Sequence, residues 1–341
     1  MLKIFKETKI FVYCPANHVT GGVELLHQLV DKLNNYSLDA YIVYSQKDSL
    51  VPTDYSDYNI KIANDVIDDE KNIIVIYEGI FNKAFITKKA QLLLWWLSVD
   101  NFYYCSTNFL SIYDYLKWKP FYGMKLLVRR IGALVIKQRN IFKVKSLNEI
   151  KNLDAINCYQ SEYAQNFLIN NGFNRLAALT DYINSDFNNF ISDYKRENVV
   201  LYNPKKGYKF TKKIINATPE ITWKPLIGMS RNELINTFQT SKLYIDFGYH
   251  PGKDRIPREA ALNGCCVITG MQGSARFFED VPIPNYFKID ERNTPISNII
   301  TKVNDILQNF DRYTIEFDFY RKKIKREEAE FDYQIRNIFN L

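Results

Sequence analysis

The sequence predicts an α/β protein made of two consecutive Rossmann-like domains that face each other across a cleft. Three observations predict it. Apolar runs that read as strands alternate with helical patterns through the first half, and a second alternating series follows a polar, turn-rich stretch. Runs such as AQLLLWWLS and CCVITG are apolar without a break, as in strands covered on both faces of a parallel sheet. At 341 residues the chain is long enough for two domains.

In chain order, KIFVYCP (9–15) is the first expected strand and PANHVTGG the loop after it. A helix follows from Val23 to Leu33, with Val23, Leu26, Leu29, Val30 and Leu33 on one face. DAYIVYS, NIIVIYEG and AQLLLWWLS (90–98) are the second, third and fourth strands. Asn157–Gln160 reads as a further short strand, and Ser161 caps a helix that runs to Gly172. Residues 1–175 form the expected first domain, 176–197 a linker and 198–315 the second domain. That domain begins with strand NVVLYNP, helix Thr211–Ala217 and strand EITWKPL. Helix Ser230–Thr240 carries Glu233 three residues after Ser230, a capping box, and leads to strand KLYIDFG. The loop YHPGKDRIP comes next, then helix PREAALNG, with Pro257 just inside its start and Gly264 at its end. Strand CCVITG and the turn TGMQGS follow. Residues 316–341 are expected to form a helix crossing back to the first domain.

Apolar residues make up 46% of the chain, enough for substantial cores, and aromatics 15%. The net charge of +7 suits a polyanionic ligand or an anionic membrane surface and establishes neither. The five cysteines include no Cys-x-x-Cys pair, so a reducing cytoplasm is expected rather than a disulfide framework. Cys265 and Cys266 lie in an apolar strand as core thiols. No signal-peptide pattern and no membrane-spanning run is visible, and cytoplasmic localisation is the expectation.

Loops that follow the strands of a parallel sheet lie at its carboxyl edge, where ligands bind. Lys253 and Arg255 stand in such a loop beside Gly252, before a helix amino-terminus, a combination suited to a phosphate. The alternative is an ordinary solvated pair of cations. His250, in the same loop, either contacts the ligand or merely fills the turn. Gly270, Gly273 and Ser274 form a second turn at a strand end, where Ser274 either caps a helix or touches the ligand. Gly21 and Gly22 precede a helix and either admit a ligand near the backbone or simply make a turn. Glu24 sits in the first helical turn, favourable to the helix dipole in any case. Of Trp95 and Trp96 at least one is core; Trp96 is a candidate to stack on a ligand in the cleft.

From Tyr115 to Asn148 there is no acidic residue, while Lys117, Lys119, Lys125, Arg129, Arg130, Lys137, Arg139, Lys143 and Lys145 are interleaved with aromatic and aliphatic residues. Such a strip suits the surface of an anionic bilayer, which would place the protein peripherally at the inner face of the plasma membrane. The alternative is a solvated basic face. No nucleic-acid-binding signature accompanies it, and nucleic acid is not an expected partner.

The N-terminal PANHVTGGVELLHQLVDKL and the C-terminal PREAALNGCCVITG together resemble the GT-B glycosyltransferases, the second with the donor domain of the family-4 type. The resemblance implies a nucleotide-sugar-dependent hexosyltransferase of bacterial surface-polysaccharide synthesis, capsule or lipopolysaccharide, with a glycan or lipid-linked acceptor. It implies that Glu259 accepts hydrogen bonds from the donor ribose, that Gly228 lies against the nucleobase, and that Lys205 and Lys206 face the diphosphate with Arg255 and Lys253. An inverting reaction needs a general base. Asp100 past the fourth strand, Glu78 at the end of the third, and His18 in the loop where some of these enzymes keep a base are the candidates. Many retaining members carry a second glutamate eight positions before the Glu259 equivalent. Pro251 stands there, so the stereochemical outcome is not carried over. No Asp-x-Asp motif occurs, which agrees with a metal-independent enzyme without a cofactor. The alternatives are a nucleotide-sugar epimerase of the same fold and a non-catalytic nucleotide-sugar or glycan-binding subunit.

Overall fold

The computed structural model describes residues 2–105, 116, 119–135, 146–188 and 195–341, except the side chains at 105, 129, 130 and 133–135. It divides into two compact units. The first holds 1–160, 164–180 and 331–341, and the second 161–163 and 181–330.

The sheet of the first unit has the order β2-β1-β3-β4-β5-β6. Its strands are β1 Lys9–Cys14, β2 Asp39–Tyr44, β3 Ile73–Tyr77, β4 Gln91–Trp96, β5 Ala155–Tyr159 and β6 Leu176–Ala178, all paired in parallel. Ile10, Val12, Ile73, Val75, Leu93 and Leu94 are buried in its core, as the unbroken apolar runs require. Helix α1, Gly21–Asn35, opens on Thr20, whose side chain accepts from the Val23 N–H, and buries the expected apolar face. The other helices here are α2 Val99–Cys105, α3 Pro120–Val135, α4 Leu147–Lys151 and α5 Glu162–Asn170. The capping box of α4, Ser146 with Glu149, escaped the reading of the sequence, as did α3.

The second sheet has the order β11-β10-β9-β7-β8, again all parallel. Its strands are β7 Glu197–Tyr202, β8 Thr222–Pro225, β9 Ser241–Asp246, β10 Cys266–Gly270 and β11 Lys288–Ile289. Its helices are α6 Tyr208–Asn216, α7 Arg231–Thr240, α8 Arg255–Leu262, α9 Ile296–Gln308, α10 Phe310–Thr314 and α11 Asp318–Phe339. The Ser230–Glu233 capping box of α7 forms as the spacing predicts. Helix α8 starts two residues before Pro257, which occupies the first turn, where its missing N–H has no intrahelical acceptor to lose. Gly264, at φ +90°, closes it. Helix α6 begins three residues earlier than expected, behind Gly207 in the left-handed region. A Cβ on Gly207 would stand 2.4 Å from the Phe247 carbonyl carbon, so only glycine lets the loop after β7 lie against the loop after β9.

Both sheets share one logic. The chain goes outward from the first strand to the second, then crosses over to add the third strand on the other side. The order therefore reverses between β1 and β3 in the first unit and between β7 and β9 in the second. In open parallel sheets that reversal splays the following loops apart and leaves a crevice at the carboxyl ends. Of helix α11, residues to 330 count with the second unit and those from 331 with the first. Residues 189–194 of the expected linker lie outside the described residues. Cys14, Cys158, Cys265 and Cys266 are free and buried, and burial pushes the Cys265 and Cys266 thiols up to about 11 and about 12.

Candidate functional site

At the reversal in the second unit, two loops meet. The first, Asn203–Gly207, follows β7, and the second, Phe247–Asp254, follows β9. Asn203 Oδ1 accepts from the Lys205 N–H at 3.0 Å and shapes the first loop. Lys205 is exposed, and Lys206 leads into the amino-terminus of α6. The second loop leads into the amino-terminus of α8. Backbone N–H groups at both helix starts face this edge, where Lys205 is exposed and Lys206 pairs with Asp254 at 2.5 Å.

The second loop is held from below by buried charge. Arg258 on α8 is fully buried. It donates to Asp181 Oδ2 at 2.6 Å, to Glu327 Oε2 at 2.8 Å, and to the Lys253 and Asp254 carbonyls at 3.0 and 3.2 Å. Lys253 Nζ reaches Glu327 Oε1 at 2.9 Å and Asp181 Oδ1 at 3.9 Å. Burial opposes the Asp181 charge, but Arg258 and Lys253 outweigh it and hold its pKa below the usual carboxylate range. The loop is also tied from the side. Ser274 Oγ donates to the Gly252 carbonyl at 2.6 Å and its N–H to the His250 carbonyl at 2.9 Å. Gly273, at φ +66°, is required there, since a Cβ would meet the His250 oxygen at 1.9 Å.

Three expectations for this loop change accordingly. Lys253 is a structural cation, because its ammonium is turned inward onto two carboxylates. Ser274 neither caps a helix nor faces a ligand, because it is buried and its hydroxyl is spent on the loop. His250 is likewise enclosed. Its Nε2 stands 3.5 Å from Asp246 Oδ1 and 3.8 Å from Asp254 Oδ2. Burial opposes a charged ring, but the two carboxylates outweigh it and raise its pKa. Arg255 begins α8 half-buried, with Nη2 3.4 Å from the Tyr182 carbonyl, and Glu259 is buried one turn on. Gly228, at φ +63°, lies exposed after β8 with nothing within 4 Å of its Cβ position. The reading of the sequence missed Arg258. Its position on an apolar helix face was the available signal, but the acids that bury it come from residues 181 and 327.

At the carboxyl edge of the first sheet, His18 is exposed in the loop after β1, and Gly21 and Gly22 open α1. Glu24 is buried and accepts from the Tyr58 hydroxyl at 2.9 Å. Glu78 is buried at the end of β3, accepting from the Leu97 N–H at 3.0 Å and Asn101 Nδ2 at 3.3 Å. Burial pushes its carboxyl up to about 7 against these donors. Asp100 is fully buried and paired with Lys119 at 2.9 Å, and burial brings Lys119 down to about 8. Trp96 corrects the expected sugar stack. Its ring is fully buried among Phe81, Phe102, Phe167 and Phe173, and its N–H donates to Asn157 Oδ1.

No family model matches the chain, and no curated protein matches it. Solved structures do. The sucrose-phosphate synthase of Thermosynechococcus elongatus aligns with a TM-score of 0.58 at 9% identity, over 97% of this chain and 98% of that one. WaaG, a glycosyltransferase involved in lipopolysaccharide biosynthesis, aligns with a TM-score of 0.57 at 9% identity, over 97% and 98%. T4 phage BGT, solved with its UDP-glucose substrate, aligns with a TM-score of 0.52 at 10% identity, over 98% and 100%. At these identities the likeness establishes the fold. The chain has the GT-B fold, with two Rossmann-like units in tandem.

Two predictions arise from the buried charges. Arg258→Met leaves Asp181 and Glu327 buried with only Lys253 against them, and should cost about 3–5 kcal/mol in urea unfolding; a loss under about 1 kcal/mol would mean that the network is dispensable. Glu78 binds its proton more tightly folded than unfolded. Its contribution is therefore fully present below the ordinary value of 4.5 and is lost as pH rises through about 7. Unfolding midpoints of Glu78→Gln and wild type, compared across that window, should diverge in the variant's favour by on the order of 3 kcal/mol. A constant difference would place this carboxyl at its ordinary pKa.

Proposed function

We propose that this chain is a glycosyltransferase that moves a sugar from a nucleoside-diphosphate sugar to a hydroxyl of a glycan or lipid-linked acceptor, in bacterial surface-polysaccharide synthesis. The observation that carries this reading is the crevice at the β7/β9 reversal. Exposed Lys205, half-buried Lys206, which is paired with Asp254, and the amino-termini of α6 and α8 lie there on a GT-B fold. In such a transfer the anomeric carbon–oxygen bond to the diphosphate breaks, and charge accumulates on the departing phosphate. Fixed cations and helix N–H groups stabilise that charge without having to reorganise. Lys205, Lys206 and Arg255 take this role, Glu259 receives the ribose hydroxyls, and the bare backbone at Gly228 admits the base. Of the three candidate bases His18 is the one whose ring is exposed; Glu78 and Asp100 act through the backbone and side chains they hold.

The acceptor side of the reading rests on α3. Phe121, Met124, Val128 and Ile131 recur at helical spacing and are exposed by 73%, 54%, 64% and 49%. Lys125 flanks them, and no acidic residue occurs from Tyr115 to Asn148. An apolar stripe on a segment without acidic residues matches the surface of an anionic bilayer, where a lipid-linked acceptor resides. The side chains of Arg129 and Arg130, and residues Lys117, Lys137, Arg139, Lys143 and Lys145, lie outside the described part.

A thermal-shift panel of UDP, GDP, CMP and dTDP compounds should produce one selective rise in Tm. Lys205→Ala and Arg255→Ala should each weaken that nucleotide about 10- to 100-fold, the worth of one charge-assisted contact. Sugar transfer should then require an acceptor. No stabilising nucleotide would end the transferase reading, and donor breakdown without acceptor would replace it with the epimerase. Sedimentation with vesicles rich in anionic lipid should be lost in Phe121→Asp with Val128→Asp. Equal sedimentation of variant and wild type would remove α3 from the membrane.

A further inference from the structure

At the same edge the last residue of β9 and two residues of the second loop bring their side chains together. We propose that Asp246, His250 and Asp254 form a binding site for one divalent transition-metal ion. The ligand atoms they offer all lie within 4.8 Å of one another. The spacing Asp-x3-His-x3-Asp is carried on a loop, where Gly248 turns the chain back toward the end of β9.

The central observation is His250. Its ring is fully buried, yet neither nitrogen has a hydrogen-bond partner. A polar ring so placed is normally satisfied, because burying it unsatisfied costs about 1–3 kcal/mol. Its Nε2 is 3.5 Å from one carboxylate oxygen and 3.8 Å from the other, too far for good hydrogen bonds. Two ligands on one ion, each at roughly 2.0–2.2 Å, are separated by a little over 3 Å. A small contraction of the present arrangement reaches that geometry.

Asp254 is the second observation. It is the N-cap of α8, where an aspartate ordinarily accepts from the first-turn N–H groups, but its side chain makes no capping bond. It pairs instead with the Lys206 ammonium at 2.5 Å, and the same oxygen lies 3.8 Å from His250 Nε2. Asp246 is held ready by outer contacts, accepting from the Gly248 N–H and from the Tyr244 hydroxyl, each at 2.8 Å. Glu291 faces the same region. Its Oε2 accepts from Gln272, and its Oε1 is buried with no partner. Two carboxylates and one imidazole favour Mn2+ or Zn2+ over Ca2+ or Mg2+, which prefer all-oxygen shells.

Lys206 is the competitor. Its ammonium sits 2.5 Å from Asp254 Oδ2, so an ion entering beside Asp254 displaces it or shares that oxygen. Removing this charge should tighten the site. No Asp-x-Asp occurs in the sequence. This site uses a wider spacing and a histidine, and it stands on its own geometry whether or not the chain transfers sugar.

The test uses the full chain, stripped with EDTA, desalted and titrated calorimetrically with MnCl2 and, separately, ZnCl2. One equivalent of at least one ion should bind. Asp254→Asn and His250→Ala should each weaken it at least 10-fold, and Lys206→Met should strengthen it. If His250→Ala does not fold, Asp254→Asn decides, since that side chain reaches the surface. No binding of either ion up to millimolar concentration overturns the proposal, as does binding that Asp254→Asn leaves unchanged, for instance at exposed His18. Nucleotide stabilisation measured in EDTA reports on the transferase reading separately.

Discussion

The ion network around Arg258 is the constraint on which the rest of the second unit depends. A guanidinium removed from water is tolerable only with its partners in place, and here they come from distant parts of the chain: Asp181, Glu327 and the carbonyls of Lys253 and Asp254. One side chain thereby joins the loop after β9, the start of α8 and the body of α11. The loop presents its helix amino-terminus to the crevice because its underside cannot move without exposing or stranding a charge. Ser274 and Gly273 add a lateral tether, so the position of His250 is determined by backbone contacts rather than by its own ring.

The two carboxyl edges are equipped differently. In the second unit Lys205 is exposed at the edge, while Lys253 and Arg258 are buried with Asp181 and Glu327. In the first unit the acids are buried. Glu78 holds the Leu97 N–H and the Asn101 amide, and Asp100 holds Lys119, so both shape the chain after β4. Among the described residues there, His18 in the loop after β1 and Lys47 and Asp48 in the loop after β2 are exposed.

Much of this was legible in the residues, and the legible part has a common character. Strands β1 to β4, helix α1, the α7 capping box and the helix ending at Gly264 all follow from relations among residues a few positions apart. Where the reading failed, the cause lay elsewhere in the chain. Strand β6 is three residues long, and its signal is lost in a polar stretch. Trp96 looked available because alternation along a strand does not say that both faces are covered. Lys253 and Ser274 looked available because loop residues are usually solvated.

The sequence by itself determined the α/β alternation, the two-unit organisation and, for helices such as α1, α7 and α8, the boundaries to within a turn, because each is set by local periodicity, capping or backbone freedom. Only the tertiary structure decided which cations stay on the rim and which are locked inside, why Gly207 and Gly273 cannot carry a side chain, and that a buried histidine stands unsatisfied between two aspartates. Those outcomes depend on groups tens to hundreds of residues apart in the chain. Burial and Coulomb attraction act on distance in space, and no spacing along the sequence encodes it.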